Sequence, residues 1–286
     1  DEALGFGCYH DHVMSKLSDV ENCTIGVICG VSDTTLLQST NYWKNAKQQG
    51  LPFTLDPRVL YRGYGANTIN NALCVMSQFF LNGMIKRAMT GGNDRPLTDM
   101  EKVAAGFGAG VVSSAVASPL ELIMIQQQIK GGSLIGTARN IVRDGGPAAM
   151  SRGIVGMMGR EGIFCATYLG ITPVVREKLR EMYPSQFTTD DSARFAATFI
   201  AGPIGSFLSH PPDTLKTCLQ GDVEMSKYKS YSQTCRALIS ERGLPSMWAG
   251  MPWRVFRQFC AIFLFDKINS ELAPILFPHA FAKKAR

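Results

Sequence analysis

Hydrophobic positions along this chain gather into long, nearly charge-free stretches separated by short polar ones, most clearly over 103–129, 153–175, 193–208 and 255–276. Several approach the roughly 20 apolar residues that cross a bilayer, and they carry the Gly, Ser, Thr and Pro common in membrane helix bundles. The pattern predicts long helices over 18–39, 98–128 and 190–220, each followed by a partner, over 64–87, 154–181 and 252–276. Between the members of each pair, segments 41–49, 134–143 and 231–242 read as amphipathic helices lying on a membrane surface. Linkers at 90–97 and 183–189 are rich in Gly, Pro and polar residues. Proline removes a backbone donor and clashes one turn back, so Pro119 and Pro211 should bend the helices that hold them. Gly106/Gly110 and Ala201/Gly205 offer small surfaces for close helix approach. The predicted fold class is thus an all-α membrane protein of six transmembrane helices. The competing class, a soluble all-helical domain with buried Gly-rich helices, is disfavoured by the repeat described next.

A short pattern recurs about every 90 residues. It is clearest as Pro211-Pro212-Asp213-Thr214-Leu215-Lys216, recurs as Pro119-Leu120-Glu121-Leu122-Ile123-Met124, and is faint as Val31-Ser32-Asp33-Thr34-Thr35-Leu36. A second step follows each: Tyr61-Arg62-Gly63, Ser151-Arg152-Gly153 and Trp248-Ala249-Gly250. One domain built from three similar units is expected, with a polar tail over 1–20, a degenerate first repeat over 21–93, a second over 94–187, a third over 188–276 and a C-terminal tail over 277–286.

Composition narrows the function classes. The chain is 45% hydrophobic and 18% charged with a net charge of +6, yet its Lys and Arg are spread through loops and helix ends rather than clustered with aromatics. Membrane lipids, anionic ones above all, are better partners for that charge than nucleic acid. The eight cysteines show no C-x-x-C spacing, and no disulfide framework is inferred. The first residues lack the apolar core of a secretory signal, and the absence of a starting Met suggests a processed or truncated N-terminus. Cys8, His10 and His12 place metal-ligand types at alternate positions, but a solvated tail is the favoured reading and no metal is expected. No nucleophile–base pair or phosphate-cradling loop stands out, so neither an enzyme nor a cofactor is expected.

Taken together, the repeated motifs resemble those of the mitochondrial carrier family, strongly in the third repeat (Pro211, Asp213, Lys216, Gln220, Gly243, Trp248, Gly250), well in the second (Pro119, Glu121, Gln128, Asp144, Gly145, Arg152, Gly153) and poorly in the first. The resemblance implies a six-helix bundle with threefold pseudosymmetry around a central cavity, with short surface helices on the matrix side. Two charge networks would close that cavity alternately. On the matrix side the acids would be Asp33, Glu121 and Asp213, whereas the base positions read Leu36, Met124 and Lys216, so one bridge of three is expected. Gln128 and Gln220 would brace that network, with Thr40 in the third brace position. On the cytoplasmic side Lys86 and Arg176 would be bases without acids, and Asp266 an acid without its base. The family's substrate positions fall on Asn70, Arg160 with Glu161, and Arg257, an arrangement suited to amino acids or carboxylates. Gly63, Gly153 and Gly250 would begin the even-numbered helices and bind cardiolipin at their free backbone N–H groups.

Two functions follow from the resemblance. Gates with missing partners favour a non-transporting structural or accessory subunit of an inner-membrane assembly, held by protein partners. The alternative is a functional antiporter of amino acids or carboxylates. The expected location is the mitochondrial inner membrane, with the outer membrane as the alternative.

Overall fold

The computed structural model describes residues 19–91 and 95–281, and among these no strand occurs. Six long helical rods make up most of the described residues. In chain order they are α1 (Asp19–Gln49), α3 (Tyr64–Met89), α4 (Asp99–Lys130), a rod made of α6 (Ile154–Cys165) and α7 (Thr172–Met182), α8 (Asp190–Gly221), and a rod made of α10 (Met251–Lys267) and α11 (Ala273–Leu276). Short helices fill the connections: α2 (Pro57–Leu60), α5 (Leu134–Gly145) and α9 (Tyr231–Arg242), with α12 (Pro278–Phe281) at the end. Each rod touches the next, α1 to α3 to α4 to α6 to α8 to α10, and α10 packs back on α1 to close the ring.

Local chemistry explains the boundaries. Thr98, Ser133, Thr189 and Ser230 cap α4, α5, α8 and α9 by accepting the backbone N–H three residues on, which satisfies donors the helix start leaves open. Glu101 returns a bond to the Thr98 amide and completes a capping box on α4. Both two-part rods widen into a π-helical turn, over Ala166–Ile171 and Ile268–Leu272. Each widening runs up to a proline in the first turn of the next helix, Pro173 or Pro274. A proline has no N–H to return to the preceding turn, so the extra residue there lets the rod continue rather than break.

The distribution of polarity is inverted relative to a water-soluble domain. Lys216, Asp213, Gln48, Gln220 and His210 are fully buried, while Val112, Ile200, Phe80 and Phe207 are about half exposed or more. Apolar side chains on the outside and charges on the inside suit a hydrocarbon solvent around a polar lumen. Among the described residues α4 is the helix long and apolar enough to cross a membrane on length and composition alone.

Small residues set the spacing between rods. A Cβ on Gly106 would sit 2.7 Å from the Cys165 carbonyl, and one on Gly110 would collide with the backbone of Glu161 and Gly162. Gly205 sits against the Thr167 side chain, and Ala201 is buried beside it in α8. Gly110→Val should therefore push α4 off α6 and cost about 1–3 kcal/mol, read as a lower unfolding midpoint in detergent.

Two expectations need correction. The first rod does not stop near residue 39 to be followed by a surface helix over 41–49: α1 runs unbroken through both segments. Its length then matches those of α4 and α8 (31, 32 and 32 residues). Ser39 stands where the other two rods have Pro119 and Pro211. The motif of the first repeat consequently lies one segment later than the faint Val31–Leu36 pattern suggested.

The turn after α8 is held by one carboxylate. Asp222 accepts the backbone N–H groups of Ser226, Lys227 and Tyr228 and the Ser226 hydroxyl, at 2.7–3.0 Å. Burial works against its charge, but these donors outweigh it and hold the carboxyl below its ordinary range. A depressed carboxyl contributes stability above its unfolded value near 4 and loses it as pH falls through the folded value. Asp222→Asn should lower the unfolding midpoint at neutral pH and make its decline between pH 5 and 3 shallower than in the wild type.

Candidate functional site

Three equivalent glycines give the internal register. Gly63, Gly153 and Gly250 start α3, α6 and α10 with left-handed φ of 77°, 80° and 82°. A Cβ on each would crowd one backbone carbonyl of the neighbouring rod: Met124 O at 2.9 Å, Lys216 O at 3.3 Å and Lys44 O at 2.8 Å. Met124, Lys216 and Lys44 are thus the three matching positions. Three residues earlier stand Glu121, Asp213 and Asn41; four residues later stand Gln128, Gln220 and Gln48.

The matching positions form a cycle. Lys216 Nζ donates to Glu121 Oε1 at 2.5 Å, and Lys44 Nζ donates to Asp213 Oδ2 at 2.8 Å. The third side of the triangle is neutral: Asn41 Nδ2 approaches Met124 Sδ at 3.6 Å. Each acid-position residue thus faces the base-position residue of the next repeat, and α8 meets both α1 and α4 here. Lys216 also bonds Asp213 Oδ1 at 3.0 Å and is fully buried, and Gln48 Nε2 donates to the other Asp213 oxygen at 3.0 Å. Gln128 accepts from Asn45 at 2.8 Å, while Gln220 reaches the Ser118 and Arg152 carbonyls. Both charged sides are buried ion pairs with added hydrogen bonds, the condition under which such pairs hold.

A second tier of charge lies inward of this ring. Arg160 donates to Glu121 Oε2 at 3.0 Å, contacts Glu161 and passes 3.6 Å from Asp213. The remaining Glu161 oxygen accepts from Gln78 Nε2 at 2.8 Å. Arg254 bonds Ser209 at 2.7 Å and lies 3.9 Å from Asp213. Arg257 pairs with Asp33. Asn70, Arg160 and Arg257 share the same offset from their glycines and so stand at one height around the lumen. Counting the two tiers, the cations Lys44, Lys216, Arg160, Arg254 and Arg257 outnumber the anions Asp33, Glu121, Glu161 and Asp213 by one.

The threefold register and the cyclic pairing point to one family. The mitochondrial carrier protein family model matches residues 95–183 and 190–270, more than half of the chain. The chain belongs to the mitochondrial carrier family. Similar carriers include an uncharacterized mitochondrial carrier of Schizosaccharomyces pombe, 23% identical over 92% of this chain and 96% of the relative. The mitochondrial carnitine carrier of Saccharomyces cerevisiae is 25% identical over 81% of this chain and 74% of its own length. The mitochondrial 2-oxodicarboxylate carrier of Mus musculus is 26% identical over 54% of each. The family model begins after the first repeat, where the motif departs furthest from the pattern.

The carrier's first repeat corrects the expected network. Asp33 is not in the ring: it sits two turns deeper and pairs with Arg257. Leu36, assigned there as a lost base, is 60% exposed, and Thr40 bonds the Leu37 carbonyl of its own helix. The ring base of this repeat is Lys44 and its glutamine is Gln48. Two bridges form instead of one, and Lys216 reaches two acids instead of one. Lys44, Gln48, Asn41, Arg254 and Gln78 are site residues that the motif alignment missed. A Lys followed four residues later by Gln was the available signal, because Lys216/Gln220 has the same spacing.

At the opposite end, Lys86 and Arg176 share an offset from Gly63 and Gly153 that falls on Ala273 in the third repeat, a fully buried residue of α11. The Asp266 side chain lies outside the described ones. Lys102 spans this end from α4 to α7, bonding Glu177 at 2.8 Å. Gly63, Gly153 and Gly250 have a packing role irrespective of any lipid, because each lets one rod touch the backbone of the next.

Proposed function

We propose that this carrier exchanges a carboxylate-bearing solute across the mitochondrial inner membrane by alternating access. The observation that carries this reading is the paired replacement in the ring. Asn41 and Met124 are both uncharged on the same side of the triangle, where the family motif has an acid and a base, so no buried charge is stranded, while the other two sides have both partners. Loss of selection on a gate would be expected to strand charges, which is costly in a buried site. The accessory-subunit reading rested on such stranded acids, and the ring has none. A gate of two bridges is still strong enough to close and easier to open, as a two-state cycle within a few kcal/mol requires.

The excess cation in the lumen, and three arginines able to present donor forks, favour a carboxylate. Carnitine and 2-oxodicarboxylates, the solutes in the relatives' names, both bear one. Purified protein in liposomes should show saturable counter-exchange of such solutes, dependent on solute inside the vesicle. Arg160→Lys and Arg257→Lys keep the buried charge but remove the fork, and each should raise KM roughly tenfold. Absence of counter-exchange with every carboxylate tried would contradict the proposal.

A further inference from the structure

Of the charged groups nearest the ring, the carboxylates have their oxygens taken, while Arg160 Nε has no hydrogen-bond partner among the described residues. Arg160 is shared among Glu121, Glu161 and Asp213, and both Glu161 oxygens are taken, by Arg160 and Gln78. The Asp33–Arg257 pair is different. Arg257 takes Asp33 Oδ2, while Asp33 Oδ1 and Arg257 Nε have no hydrogen-bond partner among the described residues. Asp33 is 5% exposed, and the Arg257 side chain is 30% exposed. Nearby in height, Asn70 is 5% exposed and its Oδ1 is also unpartnered.

A buried carboxylate oxygen without a donor costs free energy until something supplies one. Here an acceptor that wants a positive donor lies beside a donor that wants a negative acceptor. A dicarboxylate would satisfy Arg257 but bring a second negative charge toward Asp33. A solute carrying an ammonium group next to a carboxylate satisfies both, because its ammonium faces Asp33 Oδ1 and its carboxylate faces the guanidinium.

We infer that Asp33 is a substrate residue rather than a gate residue, and that with Arg257 it selects α-amino carboxylates over the matching 2-oxo acids. The inference rests on the carrier reading and specifies the class of solute for the same lumen. Arg254, 3.9 Å from the Asp213 carboxylate, and the excess positive charge then serve a further carboxylate, so an acidic amino acid fits better than a neutral one.

The test uses two probes that differ in a single group, 2-aminoadipate and 2-oxoadipate, with the full chain reconstituted in liposomes. Wild type should exchange the amino acid with a kcat/KM at least roughly tenfold above that for the oxo acid, the worth of one charge-assisted hydrogen bond. Asp33→Asn should reduce that preference to near unity mainly by raising KM for the amino acid. Asp33→Glu, which keeps the charge, should recover part of it. The wild-type preference alone tests the inference if the Asn variant fails to fold. A preference for the oxo acid, or a preference untouched by Asp33→Asn, would overturn the inference and leave the carrier reading intact. Exchange of neither probe, nor of carnitine, would overturn both.

Discussion

Lys216→Ala is expected to produce the largest stability loss of any alanine substitution in the ring, about 3–5 kcal/mol. For a chain of this size that corresponds to a fall in the unfolding midpoint on the order of 10 °C. The ammonium is fully buried between Glu121 at 2.5 Å and Asp213 at 3.0 Å. Removing it leaves Glu121 with Arg160 alone and Asp213 with Lys44 as its close partner. Met124→Leu at the matching position should cost less than about 1.5 kcal/mol, since it conserves volume and strands no charge. Thermal unfolding of the two variants in the same detergent makes the comparison. Equal losses would mean that Lys216 acts by packing alone.

The second large effect concerns the neutral side of the triangle. Met124→Lys should bury an ammonium without a carboxylate facing it, and Asn41→Asp should place a carboxylate against a thioether. Each should be destabilising, by up to about 3–5 kcal/mol. Together they rebuild a third bridge, and the double variant should be more stable than the sum of the single losses predicts, with a coupling of about 0.5–3 kcal/mol. A third bridge also holds the ring more firmly shut, so exchange by the double variant should slow even as its unfolding midpoint recovers. Additive losses would mean that Asn41 and Met124 do not face each other.

Repeats two and three were legible because their prolines, acids and glycines all survive: Pro119, Glu121 and Gly153; Pro211, Asp213 and Gly250. The short helices α5 and α9 were legible too, from their amphipathic spacing. The first repeat was not. Ser39 and Asn41 replace both of the motif's most visible residues, and Asp33, a lone acid two turns away, drew the alignment to itself. Two quantities could have corrected it: the matching lengths of the odd-numbered rods and the Lys44–Gln48 spacing. The π-helical turns were hidden for a different reason. Pro173 and Pro274 announce a disturbance, but whether a rod breaks or widens depends on whether neighbouring rods hold the two halves in line. The unfilled valences of Asp33 and Arg257 were likewise invisible, since they depend on side chains of the neighbouring rods α1 and α10 meeting.

The central claim is that α1, α4 and α8 close one end of a lumen through a cycle in which Asn41 faces Met124, and that this end opens during exchange. The direct measurement is reversible cross-linking of an Asn41→Cys/Met124→Cys variant with a short bifunctional thiol reagent, in liposomes loaded with exchangeable solute. Cross-linking should arrest counter-exchange, and a reductant that cleaves the link should restore it, while the wild type treated identically is unaffected. A link that forms without slowing exchange would contradict the claim.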